Sequence, residues 1–157
     1  ERGVTGAGNL NGIDPELMNE LLGNPNIKYA DVMRLCYAKP DRGVTVLAGV
    51  DLNHWSHQSR QIWLKEPGAL QTFTGAEPAL VSETFARRFD VLSGGTVELE
   101  TPAGKKVISP FGIFCDYGNE FGMAAISKKS WIAWVGSDRP INASLYLSDL
   151  SRLKETL

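Results

Sequence analysis

Apolar residues along this chain recur with two different spacings, and the alternation between them predicts most of its elements. After an Asn- and Gly-rich start, Asp14-Pro15-Glu16 is a helix opening: an Asp that can cap, a Pro at the first helical position and an acid against the positive helix end. Leu17, Met18, Leu21 and Leu22 follow one turn apart as an apolar face, and Gly23 with Asn24-Pro25-Asn26 ends the helix. Ile27 to Ala38 then reads as a strand with Ile27, Tyr29, Met33, Leu35 and Tyr37 on one parity. A turn over Lys39–Gly43 joins it to a second strand, Val44 to Leu52, as a hairpin. Residues 59–78 are broken by Pro67-Gly68, Gly75 and Pro78 and read as an irregular passage into a second unit.

The densest patterning lies between Ala79 and Gly122, ALVSETFARRFDVLSGGTVELETPAGKKVISPFGIFCDYGNEFG. Ala79-Leu80-Val81 is a short strand, and Ser82 caps a helix that turns Phe85, Ala86 and Phe89 inward and leaves Arg87 and Arg88 in solvent. Gly94-Gly95 makes a turn, and Val97 and Leu99 alternate with polar residues as a half-exposed strand. Thr101-Pro102-Ala103-Gly104 is turn chemistry, and residues 107–115 return with Phe111, Ile113 and Cys115 on one face and Phe114 on the other. A strand apolar on both faces is expected to be central. Beyond the polar loop 116–120, the pattern predicts a strand over 123–126 and a helix over 128–135 capped by Ser127. A strand over 141–147 and a helix from Ser148-Asp149 to Leu157 complete it.

Composition narrows the function classes. With 157 residues, 43% hydrophobic and 22% charged, the chain can build one ordinary core or two small subdomains. Sixteen basic against eighteen acidic residues give a net charge of −2 with no basic block, which argues against nucleic acid as the main partner. No run approaches the ~20 apolar residues that span a bilayer. The opening ERGVTG has neither an initiator Met nor an apolar leader, so the sequence reads as a segment of a longer protein, with Glu1–Gly12 as a flexible leader. Cys36 and Cys115 have no metal-type spacing. They read as buried thiols, with a disulfide as the alternative in an oxidising compartment.

Three constellations carry candidate chemistry. Asp51, His54 and His57 would present metal ligands on one face if the segment were helical, the basis for a metal-dependent hydrolase reading; they lack the HExxH pattern, and a structural role is the simpler account. Asp116 and Glu120 flank Tyr117 in the loop that leaves a central strand, where a converging carboxylate pair could act on a glycosidic bond or, more simply, satisfy loop amides. Trp131 and Trp134, one turn apart and near Tyr117 and Phe121 in sequence, are either core or an aromatic contact face. We take Asp116, Tyr117, Glu120, Phe121, Trp131 and Trp134 as the candidate partner-contact residues, and assign no catalytic, cofactor or metal residue. A small secreted binding module with an aromatic face is the alternative function.

The order of strand, Ser-Glu-capped helix, Gly-Gly turn, strand, Pro-x-Gly turn and strand ending before Asp116-Tyr117-Gly118 resembles the extracytoplasmic domain of FtsX-like/MacB-like permeases of ABC transporters. Leu145-Tyr146-Leu147 and the run from the first helix to Val50-Asp51 are similar too. The chain departs from the family in Gly95-Thr96, where Gly-Asp is common, and in Phe89, where Leu is common. The resemblance implies an α+β fold in two lobes: a Porter-like lobe from residues 1–58 with 139–157, and an inserted small α/β Sabre-like lobe over 59–138. It further implies a non-catalytic domain outside the cytoplasmic membrane, without cofactor, in a dimeric transporter. There it would couple ATP hydrolysis by a cytoplasmic ATPase subunit to an extracytoplasmic lipoprotein, lipid, peptide or adaptor partner.

Overall fold

The computed structural model describes residues 12–57, 61–69 and 75–148. The leader (residues 1–11) and the final helix expected from Ser148-Asp149 lie outside the described residues, apart from Gly12 and Ser148 at their edges. Within the described residues, four helices and eight strands succeed one another in chain order: α1 (Pro15–Gly23), β1 (Ile27–Pro40), β2 (Thr45–Val50), α2 (Leu52–His57), β3 (Trp63–Lys65), β4 (Glu77–Ser82), α3 (Glu83–Arg88), β5 (Val97–Thr101), β6 (Gly104–Phe114), β7 (Met123–Ser127), α4 (Lys128–Val135) and β8 (Asn142–Leu147). The class is α+β, as the family resemblance implied.

The helix caps work as the sequence suggests. Asp14 accepts from the Glu16 amide, Ser82 from Phe85 and Ser127 from Ser130, so each helix begins where a short polar side chain replaces a missing backbone acceptor. Gly136, in the left-handed region at φ 77°, closes α4.

Strand order is β2-β7-β4-β6-β5-β1-β8, and an additional β1–β2 ladder joins the two ends of its first six strands into a ring. Closure removes sheet edges from those six strands. Strand β1 makes this possible by its length: residues 27–33 pair with β8, Arg34–Ala38 with β2, and Lys39-Pro40 with β5. The expected lobe boundary between residues 58 and 59 is therefore no break in hydrogen bonding. β2 runs parallel to β7 across it, and β1 reaches β5.

Two cores lie on opposite sides of the strands. The first takes residues from all six ring strands, among them Cys36, Leu47, Val81, Leu99, Ile108, Ile113 and Ile126, and is completed by Phe85 and Ala86 of α3 and Trp131 of α4. The second joins Ala48, Val50, Leu80, Phe111, Phe114 and Ala125 to Leu52 and Trp55 of α2. Since β2, β4, β6 and β7 are covered on both faces, they read as continuous apolar runs.

Three details differ from the sequence pattern. Phe111 shares the second core with Phe114, and Ile113 turns to the first, because the β4–β6 register jumps from Ala79↔Pro110 to Leu80↔Gly112. That one-residue bulge reverses the parity of the strand beyond it. The second strand stops at Val50, and Leu52–His57 is a helix, begun by Asp51 Oδ1 accepting from the amides of Asn53 and His54. Arg88, expected in solvent, is drawn onto the neighbouring loop.

Candidate functional site

The polar exit from β6 is held rigidly for a loop. Asp116 Oδ1 accepts from the Gly118 amide at 3.0 Å and Asn119 Oδ1 from that of Phe121 at 3.0 Å, so both side chains make local turns. Arg88 donates from Nη1 to the carbonyls of Val44 (2.9 Å) and Phe121 (3.0 Å) and from Nη2 to that of Glu120 (2.9 Å). A planar guanidinium meeting three carbonyl oxygens fixes the end of the loop against α3 and the β1–β2 turn. Gly122 ends the loop at φ 73°, where a Cβ would stand 2.8 Å from the Phe85 nitrogen; its carbonyl accepts from Thr45 Oγ1 and the Val46 amide. Only glycine fits that approach.

The rings on this frame face outward. Tyr117 is 87% exposed, and Phe121 is partly exposed with Tyr37 edge-on to it at 6.2 Å between ring centres. Together with Val46, Thr84, Asp116 and Glu120 they line a shallow groove of about 750 Å³. The Tyr117 hydroxyl is held above its ordinary pKa, first by its hydrogen bond with Cys115. Tyr37 and Arg88 escaped the sequence reading. Tyr37 shares the parity of Met33 and Leu35 yet lies where β1 has passed the second core, and nothing local in the sequence reports that.

The candidate residues thus separate. Asp116, Tyr117, Glu120 and Phe121 come together around the groove. Trp131 is 2% exposed, sits in the first core over Gly49 and donates from Nε1 to the Ser137 carbonyl at 2.8 Å, which takes it out of any contact face. Trp134 is half-buried against the same core. Of the two carboxylates there, Asp116 accepts through Oδ1 within its own turn.

The histidine segment is helical, which meets the condition for a shared face, but its groups are engaged otherwise. Asp51 caps α2 and accepts from the Tyr29 hydroxyl at 3.1 Å. His54 is buried, stacked on Tyr29 at 4.4 Å and edge-on to Tyr146 at 5.5 Å, with its Nε2 lacking a hydrogen-bond partner. His57 Nδ1 stays local, near Ser56 Oγ and the Asn53 carbonyl. Among the described residues no three His, Cys, Asp or Glu side chains are placed to hold a metal ion. Beside this knot, Trp55 Nε1 donates to Asp31 at 3.0 Å, and burial raises the Asp31 carboxyl above its ordinary pKa. Both cysteines are free: Cys36 is buried, its thiol pushed up to about 11 by desolvation, and Cys115 is partly exposed.

A larger cleft, about 890 Å³, opens between α1, the first half of β1 and residues 136–140. Its floor carries Arg34, whose side chain is 6% exposed and which bonds Asp138 Oδ1 through Nε (2.8 Å) and Nη2 (2.5 Å). Lys128 Nζ lies 3.4 Å from the same oxygen.

This architecture is the one found in the extracellular and periplasmic domains of ABC-type transporter permeases. The chain superposes on the extracellular domain of the noncanonic ABC-type transporter YknZ from Gram-positive bacteria with a TM-score of 0.64 at 15% identity, covering 92% of this chain and 78% of that one. The periplasmic region of MacB from Actinobacillus actinomycetemcomitans gives 0.56 at 13% identity, over 87% of this chain and 66% of that one. A domain of a putative permease protein from Porphyromonas gingivalis gives 0.53 at 18% identity, over 93% and 73%. No protein-family model matches the sequence, and no curated protein matches it. The likeness is one of fold. Among the described residues no helix is long and apolar enough to cross a membrane.

Proposed function

We propose that this chain is the extracytoplasmic domain of an ABC-type transporter permease. It performs no catalysis itself; it carries motion, driven by ATP hydrolysis in a cytoplasmic subunit, to a lipoprotein, lipid, peptide or adaptor outside the membrane. The observation that carries this reading is the fold likeness to the YknZ extracellular domain over 92% of the chain. The separate roles of Asp51, His54 and His57 in capping and stacking favour it over a hydrolase.

Within this reading the groove of Tyr117, Phe121, Asp116 and Glu120 is the partner-contact face. Its support is rigid backbone beneath exposed rings, which lets aromatic side chains bind with little ordering cost. We take residues 1–58 with 139–157 as the Porter-like lobe and 59–138 as the Sabre-like lobe, with β2 of the first pairing to β7 of the second. The permease assembles as a dimer.

The test is topological. An epitope inserted at the exposed turn Pro102-Ala103 of the protein in its native cells is expected to react with membrane-impermeant reagents, and the protein to co-purify with an ATPase subunit. An epitope reached only after the cytoplasmic membrane is opened overturns the proposal.

A further inference from the structure

The cleft beside α1 has a feature the fold itself does not use. Two cations, Arg34 and Lys128, converge on a single oxygen, Asp138 Oδ1. Among the described residues its walls carry three cations (Arg34, Lys128, Arg139) and two carboxylates (Asp51, Asp138); Asp51 is engaged by Tyr29 and the first turn of α2, and Arg139 donates to the Gly12 carbonyl. Arg34 is paired there with Asp138 Oδ1, and Lys128, 3.4 Å from the same oxygen and half-exposed, leaves this end of the cleft with one more cation than carboxylate. The remaining wall is aliphatic: Met18 and Leu22 from α1 face Val32 of β1. Leu22 is 53% exposed although it lines the cleft, so its apolar surface is left largely uncovered by the described residues. Helix α1 buries only Met18 and runs about 13 Å along the cleft at the usual helical rise.

We propose that this cleft binds a single-chain anionic amphiphile, its aliphatic chain laid between Met18, Leu22 and Val32 and its phosphate or carboxylate head beside Arg34 and Lys128. The volume lies within the range of small-molecule sites, and one cationic end on an apolar groove fixes the orientation of such a ligand. This site stands apart from the Tyr117 groove and does not depend on the membrane reading.

Calorimetric titration of the 157-residue chain with dodecyl phosphate, below its micelle concentration, tests it against dodecyltrimethylammonium and inorganic phosphate. One molecule binds per chain, at least about tenfold tighter than either comparison compound, because both the chain and the anion contribute. Leu22→Asp weakens binding about tenfold and Lys128→Gln about threefold. Leu17→Asp, on the same helix but outside the cleft, leaves it unchanged. These are surface positions, so equal thermal midpoints check that the variants stay folded. Indifference to head-group charge, several molecules per chain, or equal effects of the two leucine variants overturns the proposal.

Discussion

The closed ring of strands and the layer formed by α1, the first half of β1 and β8 obey different packing rules. In the ring, β2 is buried at every position, and β4 and β7 are buried or half-buried throughout; Gly49, Gly112 and Gly122 leave room for neighbours where no Cβ fits. In the outlying layer, β8 alternates exposed and half-buried residues, α1 buries a single side chain, and Leu17, Leu22 and Tyr146 stand substantially in water. One chain thus carries a tightly constrained scaffold and a lightly held flank. The difference teaches where change is tolerated: precise fit is concentrated where two faces of a strand are covered, and a cleft can persist where only one is.

The sharpest way to break the contrast is to fill a glycine slot. Gly49→Ala would place a Cβ 2.5 Å from Trp131 Cγ, and Trp131, which α4 presses onto β2, cannot move without reopening the first core. A loss of at least ~3 kcal/mol is expected, read as failure to fold or a collapse of the urea midpoint. An unchanged midpoint would mean that the ring is far looser than its packing implies. Arg88→Ala comes next, at about 1–2 kcal/mol, since three carbonyls lose a charged donor yet two of them can reach water. Hydrogen exchange should then speed up in residues 116–122 and in the β1–β2 turn at Val44, and not in the rest of the ring.

A smaller effect concerns pH. Asp31 is held above its ordinary value of 3.8, first by burial, so the folded chain binds this proton more tightly than the unfolded one. Its contribution to stability is complete below pH 3.8 and is lost as pH rises through the raised folded value. Asp31→Asn should therefore gain on the parent chain as pH climbs from about 3.8 toward neutrality; parallel midpoints across that range would refute the assignment. The smallest effects are on surface residues. Tyr117→Ala should leave the thermal midpoint unmoved while weakening partner capture. A thiol reagent at pH 8 should titrate Cys115 quickly and Cys36 only on unfolding, because with a pKa near 11 the buried thiol is roughly 0.1% thiolate.

Much of this was legible in residue order. Asp14-Pro15, Ser82 and Ser127 mark three helix starts, and Val97/Leu99 marks a half-covered strand, because caps and alternation depend on neighbours within one turn. The likeness to permease domains was readable in the segment from Ala79 to Gly122 for the same reason: its caps and turns come one after another in a fixed order. The contact loop was legible only in part. Tyr117 and Phe121 advertise themselves as aromatics beyond a buried strand, whereas Trp131 looks identical to them in sequence and is core.

What the sequence determined alone is local: where helices begin and stop, where the chain turns, and which strands are apolar on both sides. Tertiary structure decided everything that depends on residues far apart. It bent β1 so that one strand serves three partners, turned Phe111 across the sheet through a one-residue bulge, and carried Arg88 onto the loop at 120–121. It also set Arg34 against Asp138, 104 residues away. The physical reason is that periodicity reports which face is apolar and leaves open what will cover it. A guanidinium's partners and a tryptophan's burial are decided only by the elements that arrive on the other side.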